Sequence, residues 1–158
     1  MLFRTNSKPE NVMLDGKGHL LLTDFGLSKV AIEGQTVCGT AEFMAPEVLD
    51  ERMRYGKVVD FWSLGVMLFD MVVGSPPFTG GNRKKIMENV LKKKPVFPKY
   101  ITQDTRDLCT KLLKKNPDVR LGAKGIDQIK SHCFFATINW KDALERKLVP
   151  PFIVFLQF

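Results

Sequence analysis

Lys8–Pro9–Glu10–Asn11 stands near the start of the chain, and Asp24–Phe25–Gly26 begins thirteen residues after Asn11. Ala45–Pro46–Glu47 follows, and then Asp60–Phe61–Trp62–Ser63–Leu64–Gly65. Amide and carboxylate oxygens such as those of Asn11 and Asp24 suit a hard cation. The same two residue types favour turns, so type alone leaves both readings open. Asp60 is an acid in an otherwise apolar stretch and needs a hydrogen-bond partner wherever that stretch is buried. Thr36, in Thr36–Val37–Cys38–Gly39–Thr40, reads either as a solvated loop hydroxyl or as a phosphate acceptor. One such motif is weak evidence; four in this order and spacing are strong.

The elements that must position these residues follow from local patterns. Val12–Leu14 and His19–Leu22 flank Asp15–Gly16–Lys17–Gly18, an Asp-Gly hairpin signal. Gly26 to Gly39 lacks periodicity and reads as an exposed loop. Val58 to Val73 is apolar nearly all round, ends at Gly74 and is stopped by Pro76–Pro77, which predicts a buried central helix with Trp62 and its methionines in the core. Further helices are predicted over Asn82–Lys94, from the N-cap Thr102 through Leu113 to Asn116–Pro117, and briefly within Gly125–His132, with Val149–Phe152 as an extended tail.

The whole chain of 158 residues is 44% hydrophobic and 26% charged, a globular balance that excludes a disordered or fibrous protein. Twenty-four Lys and Arg against 17 acids give a net charge of +7, which permits anionic partners without choosing among them. The basic runs Arg83–Lys85, Lys92–Lys94 and Lys114–Lys115 have no interleaved aromatics, so they read as solvated helix faces and not as a nucleic-acid surface. Cys38, Cys109 and Cys133 are odd in number and widely spaced, which fits a reducing compartment better than a disulfide framework. Arg4, Lys8 and Glu10 break up any secretory apolar region, and the longest apolar stretch is short of a bilayer span, so an intracellular protein without membrane attachment is expected.

With these motifs in order, the sequence resembles the large lobe of a eukaryotic Ser/Thr protein kinase. Thr36–Thr40 resembles the activation-loop phosphorylation segment of the AGC group. Gly80–Lys85, Arg120–Leu121–Gly122, Phe134–Phe135, Ile138–Asn139–Trp140 and Pro150–Pro151–Phe152 resemble the ribosomal S-six kinases. The resemblance runs from residue 8 to about 152. It implies a mainly α chain within the α+β protein-kinase-like fold: a helical C-terminal lobe with a short β-hairpin layer at its start and the small lobe absent. Residues 1–135 would form the large lobe and 136–158 the start of the AGC C-terminal tail.

By the same resemblance Asn11 and Asp24 would hold Mg²⁺, and Met13 would join them on the ATP side. Lys8 would neutralise charge on the transferring phosphoryl group, and Thr40 would help hold the catalytic loop. Glu10 and Asp70 would recognise basic residues of a protein substrate; for Asp70 a plain polar spot on a helix is an equal reading. Thr36 would be phosphorylated by an upstream kinase, with Lys29 as one cation capturing the phosphate. Glu47 and Arg120 would form a buried ion pair, Asp60 would face the catalytic-loop backbone, and Phe25 would be structural. A cytoplasmic protein, present in the nucleus as well, is implied.

Two neighbouring positions depart from the family. The catalytic-loop pattern puts the base five residues before the metal-binding Asn, which here is Asn6, and Thr5 takes the place of the adjoining Arg. An Asn cannot accept the substrate hydroxyl's proton as a carboxylate does. Among these residues there is also no Gly-x-Gly-x-x-Gly loop and no Val-Ala-x-Lys strand. The chain alone is therefore expected to be inactive; the alternative is a catalytically dead lobe that binds substrates or kinases. The surface near Met13, Leu14 and Phe25 is expected to be exposed and apolar.

Overall fold

Helices dominate the computed structural model, which describes residues 2–3, 11–23, 29–30, 41–49 and 56–151. Two small antiparallel sheets precede them. β1 (Leu2–Phe3) pairs with β4 (Lys29–Val30), so those two residues belong to a strand and not to the loop that the lack of periodicity suggested; backbone pairing decides there, not side-chain pattern. β2 (Val12–Leu14) pairs with β3 (Leu20–Leu22) in the register Val12↔Leu22, Met13↔Leu21, Leu14↔Leu20. The connecting turn closes on Asp15, whose carboxylate accepts the backbone N–H groups of Lys17 and His19 at 2.9 Å each. The His19 bond is the main cause of a lowered Asp15 pKa. Gly18 takes the left-handed conformation at φ 82° that completes the turn.

The helical body is built from α1 (Pro46–Leu49), α2 (Val58–Val73), α3 (Arg83–Lys92), α4 (Gln103–Leu112), α5 (Asp127–Lys130) and α6 (Trp140–Leu144). α2 stops where Gly74 turns left-handed at φ 88° and donates its N–H to Asp70 O at 2.7 Å. Asn82 caps α3 by accepting from Lys85 N, and Thr102 caps α4 by accepting from Thr105 N. α4 ends at Leu112, short of the expected Asn116–Pro117, where Asn116 instead caps a separate short turn by accepting from Asp118 N.

α2 packs two ways. On one side Trp62 stacks on Phe78, with centroids 5.7 Å apart, in a cluster with Val59, Val66, Ile86, Val90 and Leu113. On another, Phe61, Leu64 and Leu68 lie against Leu108, Leu112 and Ile129. Gly65 lets α4 come this close: a Cβ there would sit 2.8 Å from the Leu112 Cβ. Two packed stripes do not cover a whole helix, so α2 is not buried all round; Met71 is 73% exposed and is no core residue. Ser63 fastens α2 to the preceding segment by donating to Phe43 O at 3.0 Å.

Candidate active site

The β2–β3 hairpin positions the first candidate ligand. Continuing its register by one residue sets Asn11 opposite Thr23, whose N–H and hydroxyl both bond the Asn11 carbonyl, at 2.8 and 3.3 Å. Asn11 is only 6% exposed. The next residue after Thr23 in the chain is Asp24, so the pairing brings the Asn11 backbone to the position just before the second candidate ligand. Met13 is 54% exposed, as are to similar degrees Leu14, Leu20, Leu21 and Leu22, an apolar surface of the kind expected. Asn6, Lys8, Glu10, Asp24, Phe25, Thr36 and Thr40 lie outside the described residues, as does the side chain of Lys29.

Glu47 and Arg120, 73 residues apart, meet in the core with each residue 1% exposed. Arg120 Nη1 and Nη2 donate to Glu47 Oε1 and Oε2 at 2.6 and 2.7 Å, a bidentate fork. Further donations go to Lys114 O (3.0 Å), Val58 O (2.9 Å) and Lys115 O (3.4 Å), so the guanidinium leaves little donor capacity unused. Its carbon lies 5.2 Å from the Trp62 ring centroid. This one group thereby ties α1, the start of α2 and the segment after α4 together.

Asp60 is half-buried in the first turn of α2 and is engaged with a partner. Asp70 is half-buried near the C-terminus of the same helix, and its carboxylate has no hydrogen-bond partner among the described residues. Thus Asn11 and Met13 share the hairpin, while Glu47, Asp60, Asp70 and Arg120 belong to the helical body.

Two features escape a reading of the sequence. Lys115 is not a solvated helix-face lysine: it lies past the end of α4 and folds its ammonium group inward, to Val90 O and over the Phe78 and Trp62 rings, 4.0 and 4.9 Å from their centroids. Burial, and secondarily the charge of Arg120, bring its pKa down from 10.5 to about 8. The other is Asp107, His132 and Cys133, whose ligating atoms lie within 4.8 Å of one another, the sole such metal-capable group among the described residues. Its atoms are already committed. His132 Nε2 bonds Asp107 at 2.9 Å, Nδ1 accepts from Phe134 N at 3.2 Å, and the Cys133 thiol donates to Asp104 at 3.4 Å. Burial and then Asp104 push the Cys133 pKa up, so the thiol is no activated nucleophile and the group works as a helix-joining cap. No described helix is long and apolar enough to cross a membrane.

Comparison with known proteins places the chain in a family. The protein kinase domain family matches residues 6–135. The ribosomal protein S6 kinase beta of Caenorhabditis elegans is 50% identical over 151 residues, covering 92% of this chain and 27% of that protein. A probable serine/threonine-protein kinase of Dictyostelium discoideum is 43% identical over 150 residues, 92% of this chain and 33% of the relative. The human ribosomal protein S6 kinase alpha-6 is 43% identical over 149 residues, 92% and 20% respectively. The chain thus spans at most about a third of the length of these curated relatives.

Proposed function

Because this chain belongs to the protein kinase domain family and is of the ribosomal S6 kinase type, we propose that it carries metal- and peptide-binding residues of an enzyme moving the γ-phosphoryl group of ATP to Ser or Thr in basic peptides. We further propose that the chain by itself does not complete that transfer. The observation that carries the first part is the pairing of Asn11 with Thr23, immediately before Asp24. It supports a ligand pair of one amide and one carboxylate oxygen, a hard-oxygen set that fits Mg²⁺. When bound, Mg²⁺ would neutralise phosphate charge, and Lys8 would add its own.

The second part rests on Asn6. At the position where the family has a carboxylate to take the substrate hydroxyl's proton, an amide has no oxygen basic enough to do so. The Glu47–Arg120 pair serves as scaffold, fastening the segment that follows Thr36 and Thr40 to the helical body. In this reading Thr36 is the phosphate acceptor for an upstream kinase, and added phosphate orders its segment by drawing cations. The test is direct. Purified chain, ATP, Mg²⁺ and a basic peptide should give no transfer above background, and transfer that disappears in Asp24→Ala would overturn the claim of inactivity.

A binding role is favoured by one specific observation, the Asp70 carboxylate with no partner among the described residues. In that reading the chain holds a basic peptide without nucleotide. Capture of such a peptide should weaken in Asp70→Ala; unchanged capture would remove Asp70 from the reading.

A further inference from the structure

Several cations of the helical body have acid partners. Lys85 and Lys92 share Glu88 at 2.9 and 3.3 Å, Lys111 holds Asp107 at 2.6 Å, and Lys147 holds Glu145 at 2.5 Å. Around one cavity of about 340 Å³, between the segment after α3 and the helix α4, that pattern fails. Lys94, Arg106, Lys114 and Lys115 line it together with Phe97 and Leu113, and no acid does. None of the four cations has a carboxylate partner among the described residues.

Three of the four are positioned by neutral groups. Arg106 Nη2 donates to Pro98 O at 3.2 Å, and its guanidinium carbon is 5.2 Å from the Phe97 centroid, which leaves most of its N–H fork without an acceptor among the described residues. The Lys114 backbone is fixed because its carbonyl accepts Arg120 Nε. Lys115 is turned inward and contributes a fixed charge, not a ligand arm. Like charges gathered round a concave surface raise the local potential and concentrate anions. A guanidinium fork between two flexible ammonium groups suits a doubly charged oxyanion better than a single carboxylate. The volume is at the small end for ligand sites and admits a phosphoryl group on a small carrier.

We propose that this cavity is a binding site for a phosphate monoester, held by Lys94, Arg106 and Lys114 beside Phe97. It shares no residue with the candidate active site, so it stands apart from the reading of phosphoryl transfer.

The test uses the 158-residue chain in chloride buffer at constant ionic strength, with backbone amide NMR shifts and calorimetry as readouts. The probes are inorganic phosphate, a short phosphoserine peptide, and the same peptide with Glu in place of phosphoserine. Phosphate should saturably shift amides of residues 94–97 and 106–115. The double variant Lys94→Gln, Lys114→Gln should weaken binding about tenfold or more. The control double variant Lys124→Gln, Lys141→Gln removes the same charge elsewhere and should bind as the parent does. Arg106→Lys keeps the charge, loses the fork and should also weaken binding. Tighter binding of the phosphopeptide than of inorganic phosphate would assign a phosphorylated segment as the source, and equal binding a small phosphate compound. No saturable shift, equal weakening in both double variants, or a Glu peptide binding as tightly as the phosphopeptide would each overturn the proposal.

Discussion

The helical body and the β2–β3 hairpin satisfy their side chains in opposite ways. In the body even two opposite charges, Glu47 and Arg120, are withdrawn from water because each meets the other and the spare guanidinium donors reach three carbonyls. In the hairpin the two strands pair in register along their shared edge, yet Met13, Leu14 and all three leucines of β3 stand in solvent. Backbone pairing alone thus does not make a core. The body contains the elements that hold it together, whereas the hairpin, which presents the candidate ligand Asn11, exposes an apolar surface of the kind that another surface covers.

The strongest way to break this contrast is to unpair the body's ion pair. Glu47→Ala leaves the Arg120 charge buried without its acid and should cost about 3–5 kcal/mol in a denaturant melt; a loss below about 1 kcal/mol would mean the body does not depend on it. Next comes the α2–α4 contact. Gly65→Ala puts a methyl group 2.8 Å from the Leu112 Cβ, and the forced separation should cost about 1–3 kcal/mol. An unchanged melting temperature would show that α4 gives way freely.

The pH dependence sharpens the contrast within the body. Lys115 has its folded pKa depressed to about 8 from an ordinary 10.5. Between those values the unfolded chain binds more protons, so stability should rise with pH from about 8 upward. Cys109 acts in the other direction: burial raises its thiol from 9.0 to about 12, so its contribution falls as pH climbs above 9. The Lys115 rise is therefore clearest between about pH 8 and 9, and Lys115→Met should flatten it. The smallest effect belongs to the hairpin. Leu20→Lys with Leu22→Lys should move stability by no more than about 0.5 kcal/mol while reducing self-association in sedimentation. A large loss of stability would show that those leucines have a packing role.

The sequence made some of this legible and hid the rest for definable reasons. The hairpin turn at Asp15–Gly18, the span and glycine stop of α2, and the caps Asn82 and Thr102 are set by neighbours a few residues away, so local chemistry reveals them. The mainly helical fold with a small β layer followed from the same signals. Glu47 and Arg120 were nameable only through a family resemblance, because nothing local joins residues 73 apart. Lys115 read as surface because basic runs usually are, and only the packing of Trp62 on Phe78 makes a place for its ammonium group. Asp107 and His132 meet across 25 residues, and the unpaired cations round Phe97 are visible only once α4 is laid beside the segment after α3. Met71 was misread because an apolar run shows what could be buried, not how many stripes find partners.

Native-state amide hydrogen exchange on the intact chain measures the central contrast most directly, since it reports the opening free energy of each region separately. The account predicts that amides of α2 and α4 around Trp62, Leu108 and Leu112 exchange only through global unfolding, while those of Val12–Leu14 and Leu20–Leu22 exchange through a much cheaper local opening. Equal protection of the hairpin and the body would contradict it.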